Sequence, residues 1–411
     1  MAITKGIDSS HLALTARGIA WVDQFDATDR ESARTLIEAL TLVSHSAFER
    51  GLTKTIIRLA EQTSGPIALY ATREWDPAEP YFPDDADPID AVDAGNDLGS
   101  EARIAAIIRN LERAEPGKFL NHPTIEEMRA AHCRAICVVD DFVGSGERTS
   151  EFLSAMWLNL TLRSWRSLKL IAFHAIAFSA TARGVLRVEK TAPKPAVHLR
   201  RDCPTFHEMP WPPNVRQSML GLLRRYAART SQPNVATGYG QAASALVFEH
   251  GCPDNCPSIF WAPSTPTRAW EPLFPRRSVL WAEASAFPPE IARRDPVVVM
   301  VQAGQKRLAE SGALAGKGAI GPNVLMILGL AAKGIRSKAA LSHATGLEAD
   351  TCAQLVEACV AAGLLTPNFH ITRPGAAELA SASRSTLLKP KVPEPGSDLY
   401  YPRQLRGLGS G

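Results

Sequence analysis

No stretch of this 411-residue chain approaches the roughly 18 to 20 consecutive apolar residues that a membrane helix needs. Residues Met1 to Gly18 lack a cationic start followed by an apolar run, so a cytoplasmic protein with no membrane partner is expected. Charge of one sign is lacking as well. The 45 Lys and Arg against 42 Asp and Glu leave a formal net charge of +3, which gives no case for wholesale binding of a polyanion. Any basic surface must be local. Cysteine is sparse, and its odd count of seven fits reduced thiols rather than a disulfide framework. Cys133/Cys137 and Cys252/Cys256 share a CxxxC spacing that could serve a metal, but neither pair forms the CxxC knuckle of zinc sites, and buried small side chains are the plainer reading. Absent too are GxxxxGK followed by Ser or Thr, GxSxG and HExxH, which leaves nothing to favour P-loop, serine-hydrolase or zinc-protease chemistry.

What is present is an ordinary globular composition, 45% hydrophobic, over a length that suits two or three domains. Leu36, Leu40, Val43, Leu52, Ile56 and Leu59 recur at helical spacing and predict a pair of helices over 32–60. After Gly65-Pro66, the apolar run from Ile67 to Thr72 reads as a buried parallel strand with Arg73 and Glu74 at its C-terminal edge. Residues 75–99 are rich in Pro and Asp and form a long acidic insertion, either a functional lid or a solvated loop. Helices are expected around Ile104 to Leu111, Ile125 to Ala131, Ala180 to Val188 and Asn214 to Ala228. Strands are expected at Leu168 to His174, Ala196 to Leu199 and Ala243 to Phe248. Strands alternating with helices argue an α/β fold with a doubly wound, mostly parallel sheet.

The most informative segment is Ile136 to Thr149, ICVVDDFVGSGERT. An apolar strand delivers two carboxylates to its C-terminal edge, where ligands bind in open α/β sheets, and a Gly-Ser-Gly turn then enters a helix expected near Thr149. Small residues at Gly144, Ser145 and Gly146 let backbone N–H groups approach a phosphate, and the helix adds its positive N-terminus. Ser145 and Thr149 can add hydroxyl donors. Asp140 and Asp141 are acceptors when ionised. They would repel the phosphate and suit the 2′ and 3′ hydroxyls of a ribose placed behind it.

This segment resembles the phosphoribosyl-pyrophosphate (PRPP) signature of type I phosphoribosyltransferases: apolar strand, two acids, two apolar residues, a small-residue loop and a threonine. Glu147 and Arg148 put one more residue between loop glycine and threonine than most metabolic members have. The wider pattern resembles the phosphoribosyltransferase-like domains of bacterial conflict and antiphage systems. It rests on the helical N-terminus, the strand ending Ala71 to Glu74, the DDFVGSG loop, and Cys252 to Trp261, CPDNCPSIFW, over roughly residues 30 to 285. The resemblance implies PRPP or a nucleotide as ligand, Mg2+ as cofactor with no direct protein ligand assigned, and the stretch Val143, Gly144, Ser145, Gly146, Glu147, Arg148 and Thr149 as phosphate and ribose contacts. It implies Asp140, Asp141 and Arg73 as catalytic residues, Arg73 stabilising charge on departing pyrophosphate. The bland reading of Arg73 is a salt bridge with Glu74 or the acidic insertion. Family chemistry passes through an oxocarbenium-like ribose, so no covalent nucleophile is needed. Asp254 and Asn255 either cap a turn or face the pocket, and His250 reads as structural.

Domains are expected at 1–290, at 291–385 as linker plus a small domain, and at 386–411 as a loose tail. Helices Val324 to Ala332, Lys338 to Ala344 and Ala349 to Ala362, a hairpin around Leu364 to Thr372 and a helix from Pro374 resemble a winged-helix domain over about 318–383. Its third helix begins with Glu348 and Asp350 and carries Glu357, which weakens a DNA-reading role. Lys333, Arg336, Lys338 and Arg373 could still form a modest phosphate-binding face, so nucleic acid, a protein partner or a second copy of the chain all stay open. Three functional readings follow: a phosphoribosyltransferase or nucleotide-cleaving effector of a defence system, with a partner such as a reverse transcriptase and its nucleic acid; a catalytically silent PRPP or nucleotide sensor acting through the winged helix, as certain purine-operon repressors combine these domain types; and a scaffold with a degenerate pocket.

Overall fold

A computed structural model of the chain describes residues 11–86, 100–266, 269–287, 296–314, 321–347 and 349–384. Seven strands are present among them: β1 Thr41–Val43, β2 Ile67–Ala71, β3 Phe119–Asn121, β4 Ala135–Val143, β5 Ala172–Ala180, β6 Ala196–Asp202 and β7 Leu246–Phe248. Five form one parallel sheet in the order β3-β2-β4-β5-β6, and β1 pairs in parallel with β7. Connections run outward from β2 to β3, then cross back to β4 and continue to β5 and β6. The chain therefore reverses its winding between β2 and β4, and that junction is where an open α/β sheet leaves a crevice.

The sheet is buried on both faces, as all-parallel sheets require. One face meets the helices His45–Gln62 and Ser100–Ala114, with Phe48, Leu52, Ile56, Ile104 and Ile108 packed on Ile67, Leu69, Cys137 and Val139. The other meets the helix Glu147–Trp157, with Phe152, Leu153 and Met156 against Ile136, Val138 and Phe173. A further core, built on Trp21, Phe25, Leu36, Tyr226, Phe260 and Trp270, lies under β1 and β7. Trp21 stacks on Phe260 at 5.3 Å and donates its indole N–H to the Ile259 carbonyl at 3.1 Å.

Several expectations shift. The N-terminal helix pair is interrupted: Leu40 precedes β1, Val43 ends it, and only then does Ser44, accepting from the Ala47 N–H, cap the next helix. Short strands of this kind carry no periodicity, and the same holds for β3. The strand expected at 168–174 starts later. Leu168 and Leu170 are exposed at a turn where Lys169 takes a positive φ of 58°, and β5 follows as the alanine-rich Ala172–Ala180. Alanine favours helix, but here flanking parallel strands on both sides supply the hydrogen bonds and burial that override it.

The first part of the acidic insertion is anchored rather than solvated. Tyr81 and Phe82 are buried beside Tyr70, and Asp85 accepts from Arg129, Asn159 and Thr161. Residues 87–99 lie outside the described residues, as do Glu348 and the tail from 385 onward.

The C-terminal region has its own core, from Val299 and Met300 through Leu328 and Leu341 to Leu379. Its helices are Pro322–Ala332, Lys338–Thr345, Ala349–Ala361 and Arg373–Ser383, and the expected hairpin reduces to one antiparallel bridge, Leu365 with Ile371. Helices Lys338–Thr345 and Ala349–Ala361 lie along β6, covering the open edge of the sheet. Buried contacts of His343 and one exposed ion pair fasten them. His343 Nδ1 sits 3.3 Å from Thr41 Oγ1 and its Nε2 lies 3.1 Å from Met209 Sδ, while Arg58 forms an ion pair with Asp350. No described helix is long and apolar enough to cross a membrane. All seven cysteines are buried free thiols, and desolvation raises the pKa of Cys133 to about 11.

Candidate functional site

β4 is buried along its whole length, so its last residues can carry carboxylates only because the sheet opens there into a cleft. That cleft, about 1230 Å³, lies at the C-terminal ends of β2 and β4. Arg73 and Glu74 enter from β2, Asp140 and Asp141 from β4, and the loop Gly144 to Gly146 with the helix start Glu147, Arg148 and Thr149 closes the side. The winding reversal thus brings together every candidate residue read from the sequence, Val143, Asp254 and Asn255 included.

Loop shape depends on glycine at two close approaches. Gly146 adopts φ 76° as the residue before the helix Glu147–Trp157, which begins two residues earlier than expected. A Cβ on Gly144 would collide with the Asn255 side chain. Asn255 in turn donates from Nδ2 to the Tyr239 carbonyl at 3.0 Å, so it is a wall of the cleft held by the neighbouring turn. On the other side Thr181 Oγ1 donates to the Gly144 carbonyl at 2.6 Å, stitching the loop to the helix Ala182–Lys190.

The acids are tied into a network inside the cleft. Arg148 Nη2 donates to Asp140 Oδ1 at 2.5 Å and reaches Asp141 Oδ1 at 3.5 Å; Thr149 Oγ1 donates to Asp140 Oδ2 at 3.2 Å. His250 Nε2 lies 3.0 Å from Asp141 Oδ2. Burial is the largest influence on Asp140 and pushes its pKa up to about 7, with Arg148 opposing and the neighbouring Asp141 adding to the rise. Burial also acts upward on Asp141, but the hydrogen bond and charge of His250 together with Arg148 outweigh it and hold this carboxyl below the usual range. Two adjacent acids are thereby driven apart, one firmly ionised and one poised near neutrality.

Arg73 is buried, and its guanidinium lies 4.7 Å from the Trp75 ring centroid and 5.7 Å from that of Tyr81. The insertion's anchored aromatics thus stand beside the cation. Burial and the charge of Arg73 together lower the pKa of His122 to about 4, so this histidine is neutral at pH 7, and its Nε2 accepts from the Ala71 N–H. Asp254 pairs with Arg277 at 3.5 Å at the outer wall. His250 is the residue sequence reasoning undervalued: it follows β7, 109 positions from its partner Asp141, and no local pattern links them. Gly184 and Thr181, which support the loop from behind, were likewise not singled out.

A parallel sheet in this winding, with paired acids and a glycine loop at its reversal point, defines a phosphoribosyltransferase-like domain. The family model described as PRTase-CE matches residues 19–276, and the chain belongs to that family. A second model, described as wHTH-PRTase associated, matches residues 325–407. The protein is therefore phosphoribosyltransferase-related and carries the associated winged-helix domain. Comparison with curated proteins and with solved structures gave no match.

Proposed function

We propose that the chain is a phosphoribosyltransferase-like effector of a bacterial antiphage system that binds PRPP or a nucleotide with Mg2+. The observation that carries this reading is the convergence of Asp140, Asp141 and the Gly144 to Gly146 loop on one cleft at the sheet's reversal point. Backbone N–H groups of the loop and the N-terminus of the 11-residue helix Glu147–Trp157 receive the phosphate. The two carboxylates accept from the ribose hydroxyls. Arg73, at the neighbouring strand end, faces charge that grows on departing pyrophosphate. Two adjacent carboxylates fit Mg2+ only in concert with ligand oxygens, since no group of three acidic, His or Cys ligands occurs among the described residues. When bound, the ion would neutralise pyrophosphate charge. Residue orientation, rather than a covalent intermediate, does the remaining work. The defence assignment draws on the resemblance to conflict-system domains, and a reverse transcriptase encoded nearby would strengthen it.

The test is incubation with PRPP or nucleotides and Mg2+, with release of pyrophosphate or free base as readout. Turnover that vanishes in the Asp140→Ala, Asp141→Ala double variant supports the effector. Folded protein with neither turnover nor binding rejects the site.

A second reading, a ligand sensor acting through the winged helix, is favoured by one continuous set of contacts. Asp141 bonds His250, which follows β7; β7 pairs with β1, and Thr41 at the start of β1 bonds His343 of the winged helix. Tight ligand binding without turnover selects this reading. Saturable binding to one DNA sequence, lost on deleting residues 318–383, selects its DNA form. A protein-facing role is favoured structurally, because Asp350, in the helix turn that would approach base edges, is held by Arg58.

A further inference from the structure

The acceptor atoms of the paired acids are already engaged, and by partners of two kinds. Fixed ones come from the scaffold. The Asp141 N–H donates to Asp140 Oδ1 and the Phe142 N–H to Asp141 Oδ1; Thr149 bonds Asp140 Oδ2 and His250 bonds Asp141 Oδ2. The one long, flexible partner is Arg148, whose guanidinium bridges Asp140 Oδ1 and Asp141 Oδ1. Its side chain is 37% exposed, against 3% for that of Asp140, so the head group can leave along the cleft while the acids stay in place. A guanidinium offering N–H donors to two neighbouring carboxylates occupies the seat that a vicinal diol with two O–H donors would take.

Resting on the ribose-phosphate reading above, we propose that Arg148 is a resident counter-ion that fills the sugar seat, excludes a bare divalent cation from the paired acids, and is released by an entering ribose phosphate. The physical reason is competition. Two adjacent carboxylates without a cation would attract a divalent metal, whereas a bonded arginine neutralises them with no dehydration of the ion required. A ribose phosphate replaces the hydrogen bonds of Arg148 with those of its hydroxyls. At the same time it offers the freed guanidinium a new anion a short distance away, at the loop that precedes Arg148 by only a few residues. The order that follows is sugar phosphate first, divalent cation second. The residue that interrupts the usual spacing between loop glycine and threonine is then a positioning residue that enforces this order.

The experiment titrates Mn2+, as a spectroscopic probe for the cation, into the full-length protein and follows free Mn2+ by electron paramagnetic resonance. Wild type is expected to show no saturable site alone and to gain one with ribose 5-phosphate present. Arg148→Gln is expected to bind Mn2+ at least about tenfold more tightly than wild type without the sugar phosphate, because the acids lose their counter-ion. Asp140→Asn on that background removes the gain. Arg148→Lys, which keeps the charge, is expected to behave as wild type, and Arg148→Met, which removes it, serves with the same expected gain if the glutamine variant is unstable. A Mn2+ isotherm unchanged by Arg148→Gln, or a saturable site in wild type without sugar phosphate, overturns the counter-ion role. Binding of ribose 5-phosphate to wild type, measured in parallel by calorimetry, reports on the ribose-phosphate reading separately: its absence removes that reading whatever the Mn2+ result.

Discussion

Gly184→Ala perturbs the candidate site from a position that does not line the cleft. Gly184 lies in the helix Ala182–Lys190, where alanine would ordinarily gain about 1 kcal/mol over glycine. Here a Cβ would stand 2.5 Å from both the Val143 and Gly144 carbonyl oxygens, while real Cβ atoms essentially never come under 3.0 Å, so helix and loop must separate by at least 0.5 Å (3.0 − 2.5). The obstacle is backbone on the loop side, and Thr181 ties the same loop to the same helix, so no side chain can swing aside. Overpacking of this kind costs about 1–3 kcal/mol, which cancels or exceeds the propensity gain. Since a 1 Å misplacement costs about a hundredfold at a preorganised site, half of that predicts roughly a tenfold loss of ribose 5-phosphate affinity. Calorimetric titration and thermal unfolding measure both effects. Gly221→Ala, in the helix Pro213–Ala227 with nothing near its Cβ, is the control and should stabilise by up to about 1 kcal/mol without touching affinity. A folded Gly184→Ala protein that binds the ligand as wild type does would refute the claim that loop shape governs the site.

Two further outcomes are expected. Asp140 has its pKa raised to about 7 from 3.8, so the folded state holds the proton more tightly than the unfolded chain; its contribution to stability is full below about pH 4 and is lost as pH rises through about 7. Ligand hydroxyls need the ionised carboxylate, so affinity for ribose 5-phosphate rises by up to about tenfold per pH unit towards pH 7 and then levels off. In Asp140→Asn that slope disappears, leaving only the ligand's own titration; an unchanged profile would show that Asp140 is not the acceptor. Asp85→Ala removes the anchor shared by Arg129, Asn159 and Thr161, and should lose about 1 kcal/mol while speeding proteolysis within 75–86. Equal protease resistance in mutant and wild type would place the anchoring of that segment on Tyr81 and Phe82 instead.

Local patterns gave access to much of this protein. Ile136 to Val143 could only be a buried strand, and two acids followed by Gly-Ser-Gly could only end it at a polar cleft, because carboxylates are not tolerated deeper in a sheet. The helix from Lys338 begins where local spacing places it, capped by Ser337, whereas the caps Ser44 and Thr181 start helices inside stretches that local spacing reads as helical already. Tertiary structure alone decided the rest. β1 and β3 are three residues each and exist because a neighbouring strand supplies their hydrogen bonds. The alanine-rich β5 is a strand for the same reason, between β4 and β6. His250 meets Asp141 and Gly184 meets Gly144 across long sequence separations, contacts that leave no trace in any local spacing. Chain chemistry settled which acids, glycines and hydroxyls stand at the end of β4; the winding of the sheet settled that they share one cleft, and that Arg148 bridges the two acids there.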